Sequence, residues 1–128
     1  MIENYNWEEL INYILSYIDG DWNYLIVKND LNRRSFTSKF YFSVDGKEYF
    51  DFFIVVDRDK MNTIFHELLD KFRDITEKLD NKEKILLTLK VKKTGDVKVI
   101  YRLIKNGDKL PFDESINYIR LTDEDKIM

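Results

Sequence analysis

A chain of 128 residues with 44% hydrophobic, 15% aromatic and 35% charged residues can build one core without staples. It has no cysteine, which excludes disulfide frameworks and thiolate zinc sites. Acids interrupt the first 18 residues, so they read neither as a signal nor as a membrane span, and the expected compartment is the cytoplasm. The net charge of −3 hides an uneven distribution. Residues 1–30 carry six acids against one base, whereas residues 82–105 carry eight bases against two acids.

The elements follow in chain order. Trp7, Leu10, Ile11, Ile14, Leu15 and Ile18 recur at helical spacing, with Asn6 as N-cap, Glu9 three residues on, and Gly20 at the stop. Trp22–Val27 reads as a short strand and Lys28–Ser35 as a polar loop. Between Phe36 and Val56 the even positions Phe36, Phe40, Phe42, Phe50, Phe52, Ile54 and Val56 are apolar, on both sides of Val44-Asp45-Gly46, the mark of a hairpin. A two-residue Asp45-Gly46 turn sets Phe40 against Asp51. A three-residue loop with Gly46 in the left-handed position instead pairs Phe40 with Phe50, Tyr41 with Tyr49 and Lys39 with Asp51, and is the expected register.

A long helix follows, with Met61, Ile64, Phe65, Leu68, Leu69, Phe72, Ile75 and Leu79 on one stripe and Asp57 or Asp59 as cap. The second hairpin alternates over Ile85–Val91 and Val97–Leu103. A Lys93-Thr94-Gly95 loop sets Lys92 against Asp96, Leu89 against Val99 and Leu87 against Tyr101. In the tail, Asn106-Gly107 signals a turn, Pro111 breaks regular structure, and Asp113–Leu121 reads as a short helix. The expectation is a single α+β domain over 1–128, in the order α-β-β-β-α-β-β-(α). An antiparallel sheet of about five strands, with two X-X-Gly hairpins, packs against the N-terminal helix and the long central helix.

Catalytic chemistry finds little to stand on. The run His66-Glu67-Leu68-Leu69-Asp70 places one histidine and two acids together on a helix, but a catalytic metal needs a third ligand, and the chain has no other histidine. A nucleophilic triad would need a histidine base, and only His66 is available. Gly20, Gly46, Gly95 and Gly107 stand singly, so no phosphate loop can be drawn. The expectation is a protein that is not an enzyme and holds no cofactor or metal.

Binding is the better-supported alternative. Turned away from the Phe-rich face of the first hairpin are Lys39, Tyr41, Ser43, Tyr49, Asp51 and Phe53, a mixture suited to a protein-binding hot spot. The other reading is that a helix or the tail covers this face. Glu67, Asp70, Asp74 and Glu77 make an acidic strip suited to a basic partner, or simply a solvated face. Thr88, Lys90, Lys92, Lys98, Ile100 and Arg102 face outward on the second hairpin. They offer nucleic-acid binding by residues 84–104 as an alternative function, although stacking aromatics are missing there.

The amphipathic first helix, the Asp21-Trp22-Asn23-Tyr24-Leu25 strand, the aromatic hairpin, the long Phe/Leu helix and Leu87-Thr88-Leu89 returning through Gly95-Asp96-Val97-Lys98-Val99 resemble, over residues 7–105, the YezG-like antitoxin (immunity protein) family of bacterial polymorphic toxin systems. The chain differs at Glu83-Lys84-Ile85-Leu86, where the family usually has a tryptophan, and at Val99-Ile100-Tyr101-Arg102, where it has an acidic-tyrosine run. The resemblance implies an immunity protein that binds and neutralises a cognate secreted toxin, often a nuclease, through a tight protein–protein interface. The partner it implies is the toxin domain, with no membrane and with nucleic acid not expected. Tyr41, Tyr49, Asp51, Phe53, Glu67, Asp70 and Asp74 are the candidate toxin-binding residues from the surface reading.

Overall fold

A computed structural model describes residues 6–18, 21–52, 57–105 and 118–127. The described elements are α1 (Trp7–Leu15), β1 (Tyr24–Asn32), β2 (Phe36–Ser43), β3 (Phe50–Asp51), α2 (Arg58–Thr76), β4 (Lys84–Lys92) and β5 (Val97–Ile104). One five-stranded sheet has the order β3-β2-β1-β4-β5, every neighbouring pair antiparallel. The α+β architecture matches the expectation from sequence.

The helices start where their caps dictate. The Asn6 side chain accepts from the Glu9 amide at 3.1 Å, and Asp57 accepts from the Lys60 amide at 2.8 Å. The α1 helix ends at Leu15, and turns carry the chain to Ile18. The 19 residues of α2 make a rod about 28 Å long. Leu10, Ile11 and Ile14 of α1 and Ile64, Leu68, Phe72 and Ile75 of α2 are buried against one face of the sheet. The strands contribute Leu25, Val27, Leu31, Phe40, Ile85, Leu87, Leu89 and Val91 to that core. One polar pair sits on this face. Ser38 donates to Asn29 Oδ1 at 2.6 Å and Asn29 donates to the Leu87 carbonyl at 3.3 Å, so its burial is compensated.

The β4–β5 hairpin has the register expected of it. Leu89 opposes Val99 and Leu87 opposes Tyr101. Its loop closes through Lys92 N–H to the Asp96 carbonyl and Gly95 N–H to the Lys92 carbonyl, both 2.9 Å, with Gly95 at φ +108°.

Three expectations are corrected. Lys28–Asn32 is strand, not loop: β1 runs to Asn32 and turns through Arg33-Arg34, with the Asn32 side chain accepting from the Arg34 and Ser35 amides at 2.9 Å. The polar run hid the strand because β1 is the central strand, where Asp30 and Lys84 pair at 3.3 Å and Lys28 meets the tail. Second, β2 and β3 pair Phe42 with Phe50 and Tyr41 with Asp51, two residues from the expected Phe40–Phe50 register. The longer loop is held by side chains. Asp45 accepts from the Lys47 and Glu48 amides at 2.8 and 2.9 Å, and Ser43 Oγ accepts from Gly46 N–H at 2.9 Å. A shift of two residues keeps every side chain on its expected face, and Lys39 still reaches Asp51, at 2.8 Å. Third, the strand expected to continue to Val56 has ended by Phe52, which is buried in the core; 53–56 lie outside the described residues. The expected Asn106-Gly107 turn, Pro111 and most of the Asp113–Leu121 helix also lie outside them; Tyr118 and Ile119 form a turn.

Candidate functional site

The second face of the sheet carries most of the residues singled out for binding, and the tail crosses it. Tyr41 donates to the Ile119 carbonyl at 2.8 Å. Thr88 Oγ1 meets the Tyr118 hydroxyl at 2.7 Å, and Lys90 Nζ donates to the Ile127 carbonyl at 2.8 Å. Lys28, buried, reaches Asp125 at 2.9 Å and lies 4.2 Å from the centre of the Tyr118 ring. Residues 118–127 therefore strap strands β2, β1 and β4 together.

Electrostatics follow from that cover. Burial alone would raise the Asp125 carboxyl; the Thr122 amide and the Lys28 ammonium outweigh it and hold the group below its usual range. Burial lowers the Lys90 ammonium, with nearby Lys98 adding to the effect and Asp125 opposing it. Lys90 is thus part of the strap contact and not of an open basic surface.

The sequence-derived candidates separate in space. Burial raises the Tyr41 and Tyr49 phenols above their ordinary value. The Tyr49 hydroxyl finds no hydrogen-bond partner among the described residues. Asp51 is engaged by Lys39, whose ammonium is raised by that bond. Phe53 lies outside the described residues. Glu67, Asp70 and Asp74 are exposed along α2, far in the fold from the strapped face, and Asp70 pairs with Arg73 at 3.1 Å. Next to Glu67, burial first and then bonds to Glu67 and Tyr17 raise the Tyr13 phenol. His66 is exposed beside a shallow 300 Å³ hollow with Phe36, Asn62, Phe65 and Leu69. Among the described residues, no three His, Asp or Glu side chains are grouped to hold a metal ion.

A second site emerges only in three dimensions. A groove of about 470 Å³ opens between α1 and the tip of the β4–β5 hairpin. Trp7, Ile11 and Leu15 form one wall and Trp22, Val91 and Val97 the other, with Glu8, Lys92 and Lys93 at the rim. Trp7 and Trp22 are the two tryptophans of the chain, and both come to this groove. Trp22 precedes β1 and is brought there because Asn23 takes the Lys93 amide onto its carbonyl at 2.9 Å. The Lys93 ammonium stands 5.9 Å from the Trp22 ring centre.

Next to the groove runs β5. The helices leave its inner residues Val97 and Tyr101 45% and 44% exposed, and Ile100 on the other face is 41% exposed. Periodicity assigns these side chains to a covered face and cannot show how far the helices extend across the sheet. The available signal was compositional: both tryptophans fall beside polar turns (Asn6-Trp7-Glu8 and Asp21-Trp22-Asn23), where a wholly buried indole is not expected.

No protein-family model matches the chain, and no curated protein is significantly similar to it in sequence.

Proposed function

We propose that this chain is a non-catalytic binding protein, an immunity protein that neutralises a cognate bacterial toxin, nuclease toxins foremost, by a tight protein–protein interface in the cytoplasm. The observation that carries the reading is the two-tryptophan groove continuous with the exposed apolar residues of β5. Tryptophan is the residue most enriched among interface hot spots, where its truncation costs about 2 kcal/mol or more of binding. The exposed acids Glu67, Asp70 and Asp74 on α2 support it further, since such a strip speeds encounter with a basic nuclease domain.

The test is co-expression with the toxin domain encoded immediately upstream. The expected result is co-purification of the pair and rescue of growth. A native chain that fails to rescue removes this reading. Trp22→Ala is expected to weaken the complex about 30-fold, equivalent to about 2 kcal/mol.

A further inference from the structure

The geometry points to the first half of β5, with the groove beside it, as a docking edge for an extended segment of the partner whose side chains alternate apolar and acidic. The inference deepens the proposed function by naming the surface and the kind of segment it takes.

The two ends of the sheet differ. Among the described residues, β3 is two residues long, whereas β5 runs for eight without a proline, and Val97–Ile100 make up its first half. Long edges of this kind are templates for another strand. The backbone bond from Lys92 to Asp96 fixes which positions face β4, because hydrogen-bonded pairs alternate along an antiparallel ladder. Lys98 and Ile100 bond inward, so the N–H and C=O of Val97 and Val99 point away from β4.

Side-chain alternation then defines the incoming strand. On the helix side its residues lie beside Val97 and Val99, at the mouth of the 470 Å³ groove, where an apolar side chain packs against the exposed Val97. On the other side they lie beside Lys98 and Ile100. Lys98 directly opposes Lys90, a like-charge pair in which the tail acids Asp125 and Glu124 act on Lys90. An acid on the added strand supplies the matching charge on the Lys98 side. Residues 84–105 carry seven bases against one acid, so a second copy of this hairpin would bring more positive charge to the edge, and an acidic segment neutralises it.

The whole chain would be titrated with an acetylated octapeptide alternating Leu and Glu, and with its Leu/Lys counterpart. The readouts are tryptophan fluorescence and amide hydrogen exchange at Val97 and Val99. The Leu/Glu peptide is expected to bind saturably, at least tenfold tighter than the Leu/Lys peptide, and to slow exchange at both valines. Because the Val99 N–H points outward, Val99→Pro spares the β4 ladder and is expected to lose at least tenfold in affinity, while Val99→Ala stays within about threefold. Should Val99→Pro unfold by circular dichroism, Val97→Lys takes its place, with a tenfold loss expected. Equal binding of the two peptides, unchanged exchange at Val99, tighter binding of a uridine dodecamer, or self-association through β5 overturns the inference. Full toxin rescue by a folded Val99→Pro chain overturns it too and leaves the immunity reading standing. Failed rescue by the native chain removes that reading, and the peptide titration still decides the edge.

Discussion

The two faces of the sheet are closed in different ways. Under the helices, Leu10, Ile14, Ile64, Leu68 and Phe72 meet Leu25, Val27, Phe40 and Leu87, nearly all apolar. Under the tail, Ile26 and Leu86 are buried as well, but the contacts that fix the tail are polar: Lys28–Asp125, Lys90–Ile127, Thr88–Tyr118 and Tyr41–Ile119. The apolar face gains from area removed from water and tolerates imprecise geometry. The polar face depends on each partner being present, because a buried group that loses its partner keeps its desolvation penalty. The first face is therefore built for stability. The second is held shut by a few specific contacts.

The largest effect should come from the apolar face. Phe72 is buried and meets the Phe36 ring edge-on at 5.4 Å, so Phe72→Ala should cost about 4 kcal/mol in urea unfolding. A loss below about 2 kcal/mol would show that the helix layer collapses onto the gap and is less rigid than the contrast requires.

The polar face should break next. Asp125→Ala leaves the buried Lys28 ammonium without its carboxylate and should cost roughly 3 kcal/mol. Lys28→Met combined with Asp125→Leu should recover most of that loss, since an apolar pair of similar volume removes both desolvation penalties. The pH dependence has a definite sign. The Asp125 carboxyl is held low in the folded chain, so its stabilisation is full above the unfolded carboxylate value and disappears as pH falls through the folded one. Asp125→Asn should therefore flatten the acid limb of the stability profile. A profile as steep as the native one would assign acid sensitivity to other carboxylates.

This contrast also explains what could be read from the sequence. Helix stripes, both caps and the β4–β5 register were legible because each rests on local periodicity or a turn of fixed length. Strand β1 beyond Val27 was not, because Lys28, Asn29 and Asp30 look solvated and owe their burial to Asp125, Ser38 and Lys84, distant in sequence. The β2–β3 register failed for a related reason: Asp45 and Ser43 spend their side chains on loop amides and lengthen the turn. Of the candidate site, Tyr41 and Asp51 were placed on the correct face of the sheet, and cover by the tail was one of two readings of that face, yet nothing local announces that residues 118–127 are the ones that return to it. The groove could not be drawn at all, since Trp7, Trp22 and Val97 meet only when α1 falls short of the sheet edge.

Smaller changes sharpen the comparison at single bonds. Tyr41→Phe deletes only the hydroxyl that donates to the Ile119 carbonyl, and should cost about 1 kcal/mol. It should also speed amide exchange in 118–127 while leaving α2 protected. Exchange that accelerates equally in α2 would mean that the two faces open as one cooperative unit. Against this stands Asp70→Ala on the exposed rim of α2, where a surface pair with Arg73 at 3.1 Å contributes within about 0.5 kcal/mol. Stability should therefore stay near native, and any loss of affinity for the proposed toxin partner in that variant would belong to the proposed interface and not to the fold. The pair of measurements separates two roles for acids: Asp125 acts inside the polar closure, while Asp70, paired only with Arg73 among the described ion pairs, would serve the proposed interface without disturbing that closure.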